Sequence, residues 1–213
     1  MNIPLPSQVA ALPITLPEEL IDEVLSLLTV KSLMRMKCVN KSWNTLISDP
    51  IFVKMHLKLS PPNTHFVLHS SCSANILPIS TKEKTVTLTD DPYGRFHSKD
   101  LSSIVGSCNR LICLLDSNSK TSDYHSDYMT LEHSLYFWNP ATRTKSERLG
   151  SIRYNRNRHT FVHVMFAFGY DNSTDTYKVV MLNLEWDENP VRTAVKVFTL
   201  GANIWRDIDC FPV

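Results

Sequence analysis

The sequence predicts an α+β protein, with a small N-terminal unit of three or four helices followed by an antiparallel all-β domain. Apolar residues from Leu16 to Leu59 recur at spacings of three and four, which is the period of an amphipathic helix. Beyond Pro62 the period changes to two, in short runs separated by turn residues. The first part of the chain is therefore expected to be helical and the second part to be a meander of strands.

The helices have recognisable starts and stops. Pro17 suits the first turn of a helix, and acidic residues follow it near the positive end of the helix dipole. The apolar face of this first helix is made of Leu20, Ile21, Val24, Leu25 and Leu28. A second helix is predicted over Lys31–Val39 and a third over Lys41–Ile47. Asp49-Pro50 stops the third and can cap a fourth, over Ile51–Leu59.

A helical unit this short buries too little apolar surface for much stability of its own. Some of its apolar residues are therefore expected to face a partner. Partner contact is the favoured interpretation for Leu16 and Pro17, because they precede the first helix. Val24, Leu33 and Ile47 are instead expected to lie in the core of the unit.

The strand-like runs follow Pro62 at short intervals. They are Thr64–His69, Thr85–Leu88, Arg110–Leu115, Leu135–Trp138, Val162–Gly169, Tyr177–Leu182, Ala194–Thr199 and Ile204–Ile208. Turn-forming residues separate several of them, at Asn139-Pro140, Asp171–Asp175 and Gly201–Asn203. The stretch from Asp116 to Thr130 is predicted to be a long loop, which either contacts a substrate or is merely flexible.

Composition narrows the classes of function. The formal charge is only +1, from 22 basic and 21 acidic residues, so no overall field favours nucleic acid or an anionic membrane. The first 15 residues lack a basic leader and no apolar run is long enough to span a bilayer, so neither a signal peptide nor a membrane partner is expected. The 5 scattered cysteines suit reduced thiols, which predicts a location in the cytoplasm, the nucleus or both.

Neither catalysis nor metal binding is predicted. Cys108 or Cys113 with a histidine could form a nucleophile and base, but Cys113 lies within an apolar run and no nucleophile motif surrounds either cysteine. On a continuous strand the two cysteines would point to opposite faces, which disfavours a shared zinc ion. No phosphate-binding glycine loop occurs either, so no catalytic residue, cofactor or metal is expected.

A basic segment with one aromatic residue runs from Arg153 to His159. Such a segment can hold a nucleic-acid backbone or an acidic or phosphorylated protein, although it is more often a solvated loop. Because no second basic cluster accompanies it, an anionic protein is favoured over nucleic acid.

The helical part resembles a plant F-box. The resemblance rests on these runs, in unbroken order: Leu16–Leu25, Val30–Leu33, Lys37–Val39, Lys41–Trp43 and Leu46–Phe52. Thr29 stands where the family often has proline, and Met34, Met36 and Asn40 also replace commoner residues. These departures do not oppose the resemblance, since methionine fills apolar gaps adaptably.

The second part resembles the F-box-associated domain of plant proteins, which is similar to kelch-type propellers. The matching runs are Gly106–Asn109, Leu135–Thr142, Phe168–Asp171, Tyr177–Val180 and Trp205-Arg206, with Arg110 where that family usually has glycine. The resemblance implies a partial, propeller-like domain of about two blades. It also implies a fragment or a truncated gene product, because such domains continue well beyond the position of Val213.

The expected domains are a flexible segment over residues 1–15, the F-box over 16–59, a connecting segment with the first strands over 60–100, and the partial β domain over 101–213. By resemblance the chain is a non-catalytic substrate receptor of an SCF-type cullin–RING ubiquitin ligase. The F-box would dock on the Skp-type adaptor, and through it on the cullin and RING subunits. The residues predicted to contact the adaptor are Leu16, Pro17, Leu20, Ile21, Leu25, Val39, Trp43 and Leu46.

Trp43 is expected to serve both the core and the partner-facing rim, because one buried tryptophan can do both. The β domain would bind a protein substrate, whose identity and contact residues the sequence does not specify. The alternative is a truncated decoy, or a protein-binding module that occupies the adaptor without targeting anything for ubiquitination.

Overall fold

The computed structural model describes residues 17–60, 65–70, 73–78, 103–120, 128–157, 160–186 and 192–208. The chain divides into two compact units, Met1–Pro62 and Asn63–Val213. Within the described residues, four helices belong to the first unit and all eleven strands to the second. The predicted order, helices first and antiparallel strands afterwards, is confirmed.

The helices are α1 (Glu18–Ser26), α2 (Val30–Met36), α3 (Lys41–Ser48) and α4 (Pro50–Leu59). Pro17 is the N-cap of α1, and the side-chain oxygens of Thr29, Asn40 and Asp49 accept backbone N–H bonds at the starts of α2, α3 and α4. These bonds satisfy amides that have no partner within the helix. Thr29 and Asn40, which depart from the commoner F-box residues, are therefore helix caps. Helix α2 ends three residues before the predicted Val39.

The core of the helical unit is formed by four residues that are at most 4% exposed: Leu25, Leu33, Ile47 and Phe52. Leu33 and Ile47 thus lie where the sequence predicted them. His56 ties α4 to the end of α1, because its Nε2 lies 2.7 Å from the carbonyl oxygen of Leu28. Its ring also stacks against Phe52, with a centroid distance of 6.3 Å.

The strands form three antiparallel sheets. The strands β1 (His65–Ser70) and β2 (Ser73–Pro78) pair with each other. A five-stranded sheet contains β3 (Ser103–Cys108), β4 (Leu111–Lys120), β5 (Tyr128–Asn139), β6 (Thr144–Lys145) and β7 (Leu149–Asn157), with β6 and β7 both paired to β5. A four-stranded sheet contains β8 (Phe161–Asp171), β9 (Thr176–Trp186), β10 (Arg192–Thr199) and β11 (Ile204–Ile208) in sequence order.

The two larger sheets share one apolar core, and the other face of the five-stranded sheet carries a second buried cluster of Ile112, Leu114 and Trp138. Cys113, Leu135 and Phe137 of the five-stranded sheet pack with Val179 and Phe198 of the four-stranded sheet, and all five are at most 4% exposed. The ring of Phe137 stacks on that of Phe198 at a centroid distance of 6.3 Å. A hydrophobic core therefore joins the sheets face to face, as in neighbouring blades of a propeller.

Two loop predictions were wrong where the structure describes the residues, because polar residues concealed strands; residues 121–127 lie outside the described residues. The segment from Asp116 was predicted to be a loop up to Thr130, yet β4 continues to Lys120 and pairs with β5 in register from Ile112 to Lys120. The basic segment that begins at Arg153 lies largely in β7, where Arg153 pairs with Glu132. Strands with one solvated face carry polar residues, and such residues weaken the sequence signal. Thr85–Leu88 lies outside the described residues.

The turn between β3 and β4 corrects one argument about the cysteines. Asn109 and Arg110 have φ angles of 48° and 65°, so both adopt the left-handed conformation that a tight hairpin needs. Arg110 adopts this conformation at the position where F-box-associated domains usually have glycine. Cys108 and Cys113 therefore lie on adjacent paired strands and not on one continuous strand.

Candidate functional site

Helix α1 carries two apolar stripes side by side. The inner stripe, Ile21, Leu25 and Leu28, packs into the helical core. The outer stripe, here called the α1 ridge, consists of Leu20, Val24 and Leu27, which are 46%, 55% and 78% exposed. The spacing of four and then three residues places the ridge on one line along the helix. Three large apolar side chains exposed in a row on a short helix are characteristic of an interaction surface.

Three of the predicted contact residues are accessible. Pro17 is exposed at the start of α1, and Leu20 belongs to the α1 ridge. Val39 lies in the turn between α2 and α3 and is 59% exposed. Leu16 lies outside the described residues, so its predicted contact stays a prediction.

The other four predicted contact residues lie in or against the core. Leu25 is only 2% exposed, while Ile21, Trp43 and Leu46 are half-buried and pack around the same cluster. The partial exposure of Trp43 leaves part of its surface accessible, although its backbone N–H is used to cap α3, at 2.7 Å from Asn40 Oδ1.

The expectation that Val24 is a core residue was wrong. Val24 and its neighbour Leu25 differ by one position, which is about 100° around a helix, and only Leu25 points inward. Both residues belong to the wide apolar face predicted for this helix, so the exposure of Val24, like that of Leu27, was not predicted. The spacing of residues 20, 24 and 27 was the signal that could have separated the two stripes.

A second exposed apolar line follows α4, where Ile51, Met55 and Leu59 recur every fourth residue and are 78%, 36% and 58% exposed. Charge is divided between the neighbouring helices. Glu23 is exposed on α1, whereas Lys31 and Arg35 are exposed on α2. The helical unit thus presents apolar lines beside charges of both signs, an arrangement suited to protein recognition.

A buried polar cluster lies in the five-stranded sheet of the β unit. Glu132 is 6% exposed, and its Oε1 lies 3.2 Å from Arg148 Nη2 and 3.1 Å from Arg153 Nη2. Arg148 also donates from Nε to the Oγ of the fully buried Ser134, at 2.7 Å. The buried carboxylate is therefore compensated by two arginines, as a charge removed from water requires.

His133, the neighbour of Glu132, points to the other side of the strand and into the core between the sheets. Its Nδ1 lies 2.7 Å from Ser117 Oγ, its Nε2 lies 2.9 Å from Tyr154 Oη, and its ring meets Phe166 edge-on. Burial lowers the pKa of His133, although the charge of Asp116 opposes this shift. Both ring nitrogens bond within the fold, which fixes the orientation of the ring, and burial favours its neutral form.

The surroundings of Cys113 do not suit a nucleophile. Cys113 has no exposed surface, and burial raises the pKa of its thiol to about 12. A thiol of this kind stays protonated at neutral pH, whereas the thiolate is the nucleophile. Among the described residues, no group of three or more His, Cys, Asp or Glu side chains is placed to hold a metal ion. Nor is any described helix long and apolar enough to cross a bilayer.

Comparison with known families defines the class of protein. Residues 14–55 match the F-box domain, and residues 55–212 match the F-box associated beta propeller domain. The second match covers more than half of the chain, which therefore belongs to the family of F-box proteins with an associated β-propeller domain. F-box domains bind Skp-type adaptors in SCF complexes, and F-box proteins are generally non-catalytic.

The relatives of this chain include several proteins of Arabidopsis thaliana. F-box/kelch-repeat protein At3g23880 is 32% identical over 94% of this chain and 53% of its own length. Putative F-box protein At3g16210 is 31% identical, over 90% of this chain and 46% of its own. Protein SUPPRESSOR OF NIM1 1 is 28% identical, over 78% and 41%. The chain thus spans about half the length of these relatives. No solved structure matches it with significance.

Proposed function

We propose that this chain serves as a substrate-receptor subunit of an SCF-type cullin–RING ubiquitin ligase. The helical unit docks on a Skp-type adaptor through the α1 ridge, and the β unit holds a protein substrate. The α1 ridge is the observation that carries this proposal, because it leaves three large apolar side chains exposed inside the segment that matches the F-box.

The physical case for docking rests on the area that the α1 ridge exposes. Complete burial of a leucine or valine side chain contributes about 1.5–3 kcal/mol. Leu20, Val24 and Leu27 retain roughly half or more of their exposure, so covering them would contribute about 1 kcal/mol each. Pro17 and Val39 extend the proposed contact, and Leu25 supports the ridge from within the core.

The proposed mechanism is tethering and involves no chemistry on this chain. A receptor that holds a substrate near the ubiquitin-loaded conjugating enzyme converts an encounter between two free molecules into an encounter within a single complex. With flexible linkage the effective concentration is commonly about millimolar. The neutral His133 and the protonated Cys113 have structural roles in this proposal. We also propose the cytoplasm or the nucleus as the location, where an exposed thiol such as Cys38 stays reduced.

Binding of purified Skp-type adaptor to the chain tests the docking step, with Pro17→Asp as the diagnostic variant. Aspartate is a preferred N-cap residue, so this exchange should preserve α1 while placing a charge in the proposed contact. We expect binding to fall at least about tenfold, which corresponds to 1.4 kcal/mol. Unchanged affinity in a folded variant would remove Pro17 from the interface.

The competing possibility is a decoy that occupies the adaptor and targets nothing. Both alternatives use the same docking surface, so the readout must be ubiquitination. Cells that express the chain with Pro17 or with Pro17→Asp would be compared for ubiquitinated proteins and for protein lifetimes. A receptor raises ubiquitination of some protein only when Pro17 is intact, whereas a decoy lowers ubiquitination by competing for the adaptor.

A further inference from the structure

One face of the five-stranded sheet carries a row of basic side chains beside strand β5. Alternate residues of a strand share a face, so Glu132, Ser134 and Tyr136 lie on the same side of β5. Arg153 pairs in register with Glu132, and Lys145 Nζ lies 4.1 Å from the centre of the Tyr136 ring. We call Lys145, Arg148 and Arg153 the basic patch.

The two arginines of the basic patch are held in place by the same buried carboxylate. Glu132 Oε1 contacts Nη2 of both, at 3.2 Å for Arg148 and 3.1 Å for Arg153, and the Glu132 side chain is only 8% exposed. Arg148 is fixed a second time by its Nε bond to Ser134. The arginine side chains nevertheless remain 42% and 69% exposed. The buried Glu132 therefore fixes the orientation of both guanidinium groups, which remain accessible to solvent.

Oriented guanidinium groups bind carboxylate and phosphate oxygens in a bidentate manner, and the loss of side-chain freedom on binding is smaller when the group is already fixed. The surrounding segment has the matching charge. Between residues 143 and 156 the basic residues are Arg143, Lys145, Arg148, Arg153 and Arg156, against the single acidic residue Glu147. This segment is therefore more basic than the chain as a whole, whose formal charge is only +1, even when the buried Glu132 is counted with it.

We propose that the basic patch binds an acidic segment of a partner protein, through carboxylate or phosphate groups on that segment. This proposal deepens the proposed function and rests on it, since it gives the chemical class of the substrate held by the β unit. A short segment fits better than a nucleic acid. Asp116 pairs in register with Ser134 and brings a carboxylate to the same face, so the basic patch is confined to a small area that a short acidic segment can cover without approaching Asp116.

The test uses fluorescence anisotropy on the full chain with three labelled probes. The first is a twelve-residue peptide rich in Glu and Asp, the second is a Ser-containing peptide that carries two phosphoserines, and the third is a single-stranded RNA of similar charge. Arg153→Gln is the primary variant, because the Arg153 side chain is 69% exposed and Arg148 still pairs with the buried Glu132 carboxylate when Arg153 is replaced. Arg148→Gln/Arg153→Gln is the stronger variant; because it leaves the buried Glu132 carboxylate without either arginine, its fold is checked by circular dichroism before binding is measured. Arg35→Gln, exposed on α2, is the control with the same change in charge.

We expect salt-dependent binding of at least one peptide, weakened about fivefold by Arg153→Gln and more by the double variant, with less than a twofold change in Arg35→Gln. The preference between the two peptides identifies the anion as carboxylate or phosphate. Three results would overturn the proposal: no peptide binding, an equal loss in Arg35→Gln, or tighter binding of the RNA than of either peptide. Adaptor binding is measured on the same samples. A chain that binds adaptor but neither peptide refutes only this inference, and a chain that binds no adaptor refutes the proposed function.

Discussion

Replacement of Gly150 by alanine should weaken the packing between the two larger sheets. Gly150 belongs to β7 and has a φ of 53°, in the left-handed region. Its N–H donates to Asn203 Oδ1 at 3.0 Å, and its carbonyl oxygen accepts from Trp205 Nε1 at 2.6 Å. Both partners belong to the β10–β11 hairpin, so this glycine connects the two sheets through its backbone.

The expected cost has two parts. An alanine forced to positive φ loses about 1 kcal/mol relative to glycine. Its Cβ would also lie 2.9 Å from Phe198 Cε2 and 3.0 Å from Leu135 Cδ1, well inside ordinary contact distance. Phe198 and Leu135 are both fully buried, so neither can move aside easily. Overpacking of this kind costs about 1–3 kcal/mol. The two parts together predict a loss of about 2–4 kcal/mol in the free energy of unfolding.

Two other glycines separate the two contributions. Gly201 has a φ of 96° but nothing within 4 Å of an added Cβ, so Gly201→Ala should show the conformational cost alone, about 1 kcal/mol. Gly169 also has nothing within 4 Å and no positive φ, so Gly169→Ala should have almost no effect. Denaturant unfolding followed by near-ultraviolet circular dichroism reports on the aromatic core of the β unit. If Gly150→Ala is no less stable than Gly201→Ala, the close approach does not constrain the sheets as argued.

Two titration predictions follow from burial. Burial lowers the pKa of His133, so the folded chain takes up a proton there less readily than the unfolded chain. The stability that the neutral His133 contributes is therefore present above about pH 6.5 and is lost as the pH falls below that value. The stability difference between the wild-type chain and His133→Gln should shrink between pH 8 and pH 5, and a difference that is constant or grows towards low pH would contradict this assignment. Cys113, with its pKa raised to about 12, should resist iodoacetamide at pH 8 in the folded chain while the exposed Cys38 reacts, as measured by peptide mass spectrometry. Equal labelling of both cysteines would show that the β core opens readily.

Local signals in the sequence predicted the helices well, because the starts of helices depend on nearby residues. Asp49-Pro50 both ended α3 and opened α4, as expected from capping. Which apolar residue faces inward was harder to predict. Val24 and Leu25 are both suited to a core, and only the packing of α1 against its neighbours assigns Leu25 to the inside.

Long-range contacts explain what the sequence did not reveal in the β unit. The basic stretch around Arg153 lacks the apolar alternation of a strand, yet pairing with β5 makes it one. The basic patch depends on this pairing, since Glu132 and Arg153 are 21 positions apart in sequence. A pattern read along the chain cannot show that a buried carboxylate holds two distant arginines. The same applies to Gly150, whose partners lie in a hairpin of the other sheet.

The most direct test of the central claim is the affinity of a purified Skp-type adaptor for Val24→Glu, measured by calorimetry. Val24 is 55% exposed on the α1 ridge, and glutamate is a good helix former, so the variant should remain folded. Ile204→Glu is the matched control, because Ile204 is also 55% exposed but lies in the β unit. The α1 ridge as a docking surface predicts at least a tenfold loss of affinity, about 1.4 kcal/mol, for Val24→Glu and no change for Ile204→Glu. Equal affinities in both folded variants would show that the adaptor does not bind this ridge.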